Sequence, residues 1–104
     1  MRITKISDKQ LLVKLAELNF DDEVQWFIKD EKLTKNFKFS HFQSAFSFMT
    51  MCALYCEKID HHPEWTNSFN QVDVQLSTHS AKGITSKDFE LAEYMDNAFK
   101  HFSI

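Results

Sequence analysis

The sequence predicts an α+β fold in the order αββαββα: a four-stranded antiparallel sheet with three helices packed on one face. Three observations carry this expectation. Three capping signatures, each a Ser or Thr followed three residues later by Gln or Asp, open apolar runs of helical period. Between them lie two pairs of short alternating segments, each pair joined by a turn. Glycine and proline occur once each in 104 residues, leaving no linker, so residues 1–104 form a single domain. Helices that separate strand pairs in this order gather on one side of an antiparallel sheet.

The first helix opens at Ser7-Asp8-Lys9-Gln10, with Ile6 and Leu11 placed as a hydrophobic staple, and runs along Leu11, Leu15 and Leu18. Val24, Trp26 and Ile28 alternate with more polar neighbours, as do Leu33, Phe37 and Phe39. These predict two strands turning at Asp30-Glu31. Ser40-His41-Phe42-Gln43 opens a long central helix. Its main stripe is expected to be Phe42, Phe46, Met49, Ala53 and Cys56, with a second stripe of Phe48, Cys52, Tyr55 and Ile59. Two stripes cover more than the face one sheet can bury, which fits either a deeply buried helix or contact with another subunit. Trp65 to Phe69 predicts a third strand, Asn70-Gln71 a turn, and Val72, Val74 and Leu76 a fourth strand. Thr78 keeps the apolar parity, while His79 falls with Asp73, Gln75 and Ser77 on the opposite face. Gly83 then precedes Thr85-Ser86-Lys87-Asp88, stapled by Ile84 and Phe89. Leu91, Ala92, Met95, Phe99 and Phe102 line the last helix.

Composition excludes several function classes. A net charge of −3 with scattered lysines offers no phosphate-binding stripe, so direct nucleic-acid binding is not expected. No segment approaches the roughly 18 apolar residues of a membrane span, and the N-terminus lacks the apolar run of a signal peptide, so a cytoplasmic location is expected. Cys52 and Cys56 lack CxxC spacing and predict reduced, buried thiols.

Chemistry concentrates in Glu57-Lys58-Ile59-Asp60-His61-His62-Pro63-Glu64-Trp65, followed by Thr78-His79 and Thr85 to Asp88. Histidine is the side chain whose unperturbed pKa suits proton transfer near neutral pH. Adjacent His61 and His62 could be solvated residues at a helix end, but Pro63 follows at once, which fixes the backbone and is expected to stop the helix there. Glu57 lies one turn before His61 and can orient an imidazole if the helix reaches that point. Asp88 occupies a capping position and can also face a ligand. His79 has the wrong parity for the core, Trp65 reads as core, and His41 and His101 read as surface residues. Adjacent histidines project in different directions and HExxH is absent, so no metal site is expected.

These residues closely resemble the pterin-4a-carbinolamine dehydratases. The family pattern is met by Glu57, His61, His62, Pro63, Phe69, His79 and Asp88. The resemblance extends through Phe37-Lys38-Phe39, Ala45 to Met49, Asp60 to Trp65, Leu76 to His79 and Gly83-Ile84-Thr85. Phe69 departs from a common tyrosine. The resemblance implies dehydration of 4a-hydroxytetrahydropterin to quinonoid dihydropterin, which recycles the cofactor of aromatic amino-acid hydroxylases without any metal or redox cofactor. It makes His61, His62 and His79 the acid–base set and Glu57 and Asp88 their supports. Pro63, Thr78, Ser80 and Ala81 would shape the pterin pocket with them. A homodimer or homotetramer is expected. Animal members of the family also act as dimerisation cofactors of a homeodomain transcription factor. That role would use the long central helix and place the chain in the nucleus as well.

Overall fold

Three of the four strands alternate in burial, and the alternation decides which face carries the helices. The structure, a computed structural model, describes residues 4–102. Within them run helix α1 (Asp8–Asn19), strands β1 (Phe27–Lys29) and β2 (Lys32–Lys38), helix α2 (Phe42–Ile59), strands β3 (Glu64–Ser68) and β4 (Gln71–Leu76), and helix α3 (Ser86–Phe102). A single 3₁₀ turn, His79–Ala81, lies between β4 and α3. The four strands are antiparallel in the order β1-β2-β4-β3, so the expected αββαββα fold is what forms.

In the central pair, Leu33 faces Leu76, Lys35 faces Val74 and Phe37 faces Val72. Leu33, Val72, Val74 and Leu76 are completely buried. Against this face pack Ala45, Phe48, Cys52 and Cys56 of α2 and Leu91, Ala92, Met95 and Ala98 of α3. Phe37, Phe39, Phe48 and Phe99 stack at the centre with ring centroids 4.9–5.5 Å apart. Each such side chain contributes roughly 1.5–3 kcal/mol by leaving water. α1 adds only half-buried Leu11, Leu15 and Leu18, and Ser7 caps it by accepting from the Gln10 N–H at 3.3 Å.

Several sequence expectations are corrected. The stripes of α2 divide differently: Phe48 and Cys52 of the second stripe are buried beside Cys56 of the main one. The buried line is Ala45, Phe48, Cys52 and Cys56, whereas Phe42 and Phe46 are 45% and 53% exposed and Ala53 also faces outward. Both stripes are apolar, so only the sheet's position selects between them. The α2 N-cap is His41 rather than Ser40: its Nδ1 accepts from the Ser44 N–H at 3.2 Å. β1 is shorter than expected, because the Asn19 side chain binds both the N–H and the carbonyl of Trp26 and satisfies them outside the ladder. Val24 is exposed, while Trp26 enters the core from the loop. Phe69 lies beyond β3 in the turn, with φ 51° and its ring exposed. The Asp30-Glu31 turn forms where expected, both residues having positive φ (52° and 60°), as a type I′ hairpin requires.

Lys35 was not anticipated. It is buried on the core face, 2.8 Å from Asp96 of α3, and the Trp26 indole N–H also donates to that carboxylate at 3.0 Å. Burial raises the Asp96 pKa even though Lys35 and Trp26 both pull it down. Cys52 and Cys56 are buried free thiols, and burial pushes them up to about 12 and about 11.

Candidate active site

The chemistry gathers where α2 ends. Asp60 takes a left-handed conformation (φ 53°, ψ 49°), and the N–H groups of Asp60 and His61 both reach the Cys56 carbonyl. A left-handed residue with a six-to-one bond is a helix terminator in its own right. The helix therefore closes three residues before Pro63, the residue expected from sequence to stop it. Lys87 of α3 holds this end from outside, its Nζ donating to the Ile59 carbonyl at 3.0 Å.

That early stop rearranges the pairs. Because the helix does not reach His61, Glu57 does not lie against it. Glu57 Oε2 meets His62 Nε2 instead, at 2.6 Å in an exposed pair. His61 turns inward, and its Nε2 lies 2.6 Å from Asp88 Oδ1. Asp88 is completely buried at the first turn of α3, and its two oxygens divide the work. Oδ2 accepts from the Thr85 N–H and from the Thr78 hydroxyl, both at 2.9 Å, so it caps the helix. Oδ1 holds the histidine. Capping and histidine contact thus coexist in one side chain.

His61, His62 and His79 line one cleft of about 230 Å³ together with Asp60, Glu64, Gln75 and Ser77. Glu64 and Gln75 also line an adjoining cleft of about 520 Å³ with Pro63 and Trp65. Ser77 and His79 line another of about 290 Å³ with Lys32 and Thr78. Lys32 bridges to both Glu64 oxygens at 3.0 Å, spanning β4 between them.

Other sequence-selected residues sit differently. Thr78 is buried and directs its hydroxyl at Asp88 rather than outward. Ser80 and Ala81 belong to the short turn after His79, outside the lining of the histidine cleft. Trp65 packs half-buried against the core. Phe69, at the far end of β3, is remote from the histidines. Asp60, Glu64, Gln75 and Ser77 were not selected from sequence. The signal for two of them was present, since Gln75 and Ser77 share the parity of His79.

An imidazole whose one nitrogen is fixed by a carboxylate is oriented, and its other nitrogen is free to give or take a proton. Two such imidazoles and a third histidine can act on one small polar ligand. Among the described residues, no three His, Cys, Asp or Glu side chains are arranged to hold a metal ion, and no helix is long and apolar enough to cross a membrane.

Comparison with known proteins gives one consistent result. The family model described as Pterin 4 alpha carbinolamine dehydratase matches residues 4–98. A protein of Sinorhizobium fredii is 53% identical over 75 residues, 70% of this chain and 71% of its own length. One of Bordetella avium is 52% identical over 68 residues, 65% of this chain and 63% of its own length. Both carry the provisional name pterin-4-alpha-carbinolamine dehydratase. The crystal structure of a transcriptional coactivator/pterin dehydratase from Brucella melitensis superposes with a TM-score of 0.83 at 41% identity, covering 91% of this chain and 98% of that one.

Proposed function

The chain belongs to the pterin-4a-carbinolamine dehydratase family, and on that premise we propose that it removes water from 4a-hydroxytetrahydrobiopterin. The product is the quinonoid dihydropterin, whose reduction restores the cofactor of aromatic amino-acid hydroxylases. The observation that carries this reading is the gathering of His61, His62 and His79 in one cleft, with His61 and His62 each 2.6 Å from a carboxylate.

The chemistry asks for two proton movements. The C4a–O bond breaks and a proton reaches the departing hydroxyl. A ring nitrogen beside C4a loses its proton, and the electrons of that N–H bond become the new carbon–nitrogen double bond. The reaction needs no external oxidant or reductant. Positioned imidazoles can serve as both acid and base, each contributing about 10²–10⁴-fold. Asp88 and Glu57 orient two of them, and Pro63 and Thr78 line the clefts that adjoin the histidines.

The test is an assay coupled to phenylalanine hydroxylase that follows disappearance of the 4a-hydroxy intermediate. His62→Ala and His79→Ala are each expected to lose about a hundredfold or more in turnover. Wild-type turnover in both variants would overturn the reading.

A second reading has one observation in its favour. The outward face of α2 carries exposed Phe42, Phe46 and Leu54, and the Brucella melitensis neighbour is described as a coactivator as well as a dehydratase. This face, not buried Phe48 and Cys52, would meet a second copy in a dimer or tetramer, or a transcription factor's dimerisation helix. Light scattering of the wild type and of a Phe42→Ser/Phe46→Ser variant tests self-association, and binding to an isolated dimerisation helix tests the partner. The enzyme reading goes with a cytoplasmic location, the coactivator reading with a nuclear one as well.

A further inference from the structure

Thr85 is completely buried and stands outside the lining of the histidine cleft, yet its hydroxyl oxygen lies 2.6 Å from that of Thr78. Donor counting fixes the direction of every bond in this group. As a carboxylate, Asp88 only accepts. Thr78 has one hydroxyl hydrogen and directs it at Asp88 Oδ2. Thr78 can therefore only accept from Thr85, so the Thr85 hydroxyl donates to it, while the Thr85 oxygen accepts from the Lys87 N–H at 3.2 Å. Asp88 Oδ2 is taken by two donors, the Thr78 hydroxyl and the Thr85 N–H. Oδ1 remains for His61 Nε2 at 2.6 Å, and that nitrogen must carry a hydrogen. A flipped ring would press a carbon against the oxygen at the same distance. His61 Nδ1 has no hydrogen-bond partner among the described residues, and no buried side-chain nitrogen or oxygen there lacks a partner. Nδ1 therefore reaches solvent, and His61 lines the cleft.

We propose that Thr85 is a positioning residue of this site. Acting through Thr78 and Asp88, it fixes His61 as the Nε2–H tautomer and makes Nδ1 the atom that exchanges a proton with substrate. The role of Nδ1 rests on the dehydratase reading; the tautomer does not.

The test reads imidazole tautomers in ¹⁵N-labelled protein by long-range ¹H–¹⁵N correlation, with the His61 signals identified by their loss in His61→Gln. Wild-type protein is expected to show His61 protonated at Nε2. In Thr85→Val the Thr78 hydroxyl is free to turn away from Asp88, and the carboxylate is held less firmly against His61. A mixture of tautomers is expected, with kcat down about three- to tenfold, the equivalent of one buried hydrogen bond, and KM unchanged. Thr85→Ser, which keeps the hydroxyl, is expected to restore both. A wild-type His61 protonated at Nδ1 overturns the proposal without any variant having to fold. So does a folded Thr85→Val protein with the wild-type tautomer and kcat. Absence of turnover by the wild type overturns the dehydratase reading alone, because the tautomer is read without substrate.

Discussion

Replacing Asp88 by asparagine exchanges one acceptor for a donor with almost no change of shape, and the surroundings dictate which way the amide turns. The Thr78 hydroxyl and the Thr85 N–H both point at the Oδ2 position from 2.9 Å. The Thr85 N–H can only donate and cannot face an NH₂ group placed there, so the amide oxygen takes that position and the NH₂ faces His61, 2.6 Å away. His61 must then accept at Nε2 and carry its hydrogen on Nδ1, the wrong nitrogen for a base in the cleft. The cap survives. What the fold loses is the charge-assisted character of its bonds, about 1.5–3 kcal/mol for a hydrogen bond to an ion against about 0.5–1.5 for a neutral one. The expected destabilisation is therefore about 1–2 kcal/mol. Asp88→Ala strips all three bonds from buried donors and is expected to lose more than about 3 kcal/mol. In the coupled hydroxylase assay, Asp88→Asn is expected to lower kcat by about 10²-fold or more with little change in KM. An inverted tautomer in a triad costs about 10⁴-fold. Urea unfolding of both variants supplies the stability figures. Wild-type kcat in Asp88→Asn, or destabilisation as large as that of Asp88→Ala, would refute the orientation argument.

Glu57→Gln tests the other carboxylate. Its pair with His62 has side chains 76% and 54% exposed, so the melting temperature should stay within the effect of about 1 kcal/mol while turnover falls several-fold. A melting point far below wild type would mean that Glu57 supports the fold instead. For Asp96, burial raises the folded pKa above the ordinary value of 3.8. The folded state then holds its proton where the unfolded state has lost it, so stability is greatest below that value and declines as pH rises through the raised pKa. Urea unfolding from pH 4 to 7 should show this decline in the wild type and a flatter profile in Asp96→Asn. Cys52 and Cys56, held as thiols by burial, should take up no iodoacetamide in native protein at neutral pH and two equivalents in urea, read by mass spectrometry.

Much of the architecture was legible because strand parity and capping residues are local signals. Val72, Val74 and Leu76 were placed by alternation alone, and Ile84 and Phe89 by their position around a cap. The stripes of α2 were not legible in the same way. Phe46 and Phe48 are chemically equivalent, and only the finished sheet decides which of them meets it. Lys35 shares the parity of Leu33 and Phe37, yet its charge argues against burial until Asp96 and Trp26 are brought to it from remote segments. In the candidate site, the three histidines and both carboxylates could be found by residue type. Their pairing could not, because it depends on where α2 stops. That depends on Asp60 accepting a left-handed conformation that sequence rules assign first to glycine.

The strand order β1-β2-β4-β3 also has a kinetic consequence. β3 and β4 form a local hairpin, which closes on a timescale of about 1–10 μs. The β2–β4 pairing instead brings Leu33 to Leu76 across the whole of α2 and the hairpin. Such non-local closure is slow and is expected to limit folding. Until it happens, β4 has a bare edge on the very strand whose end leads to His79. The histidine cluster is therefore expected to mature in the last, cooperative step, and an isolated fragment from α2 to α3 would expose that edge to aggregation.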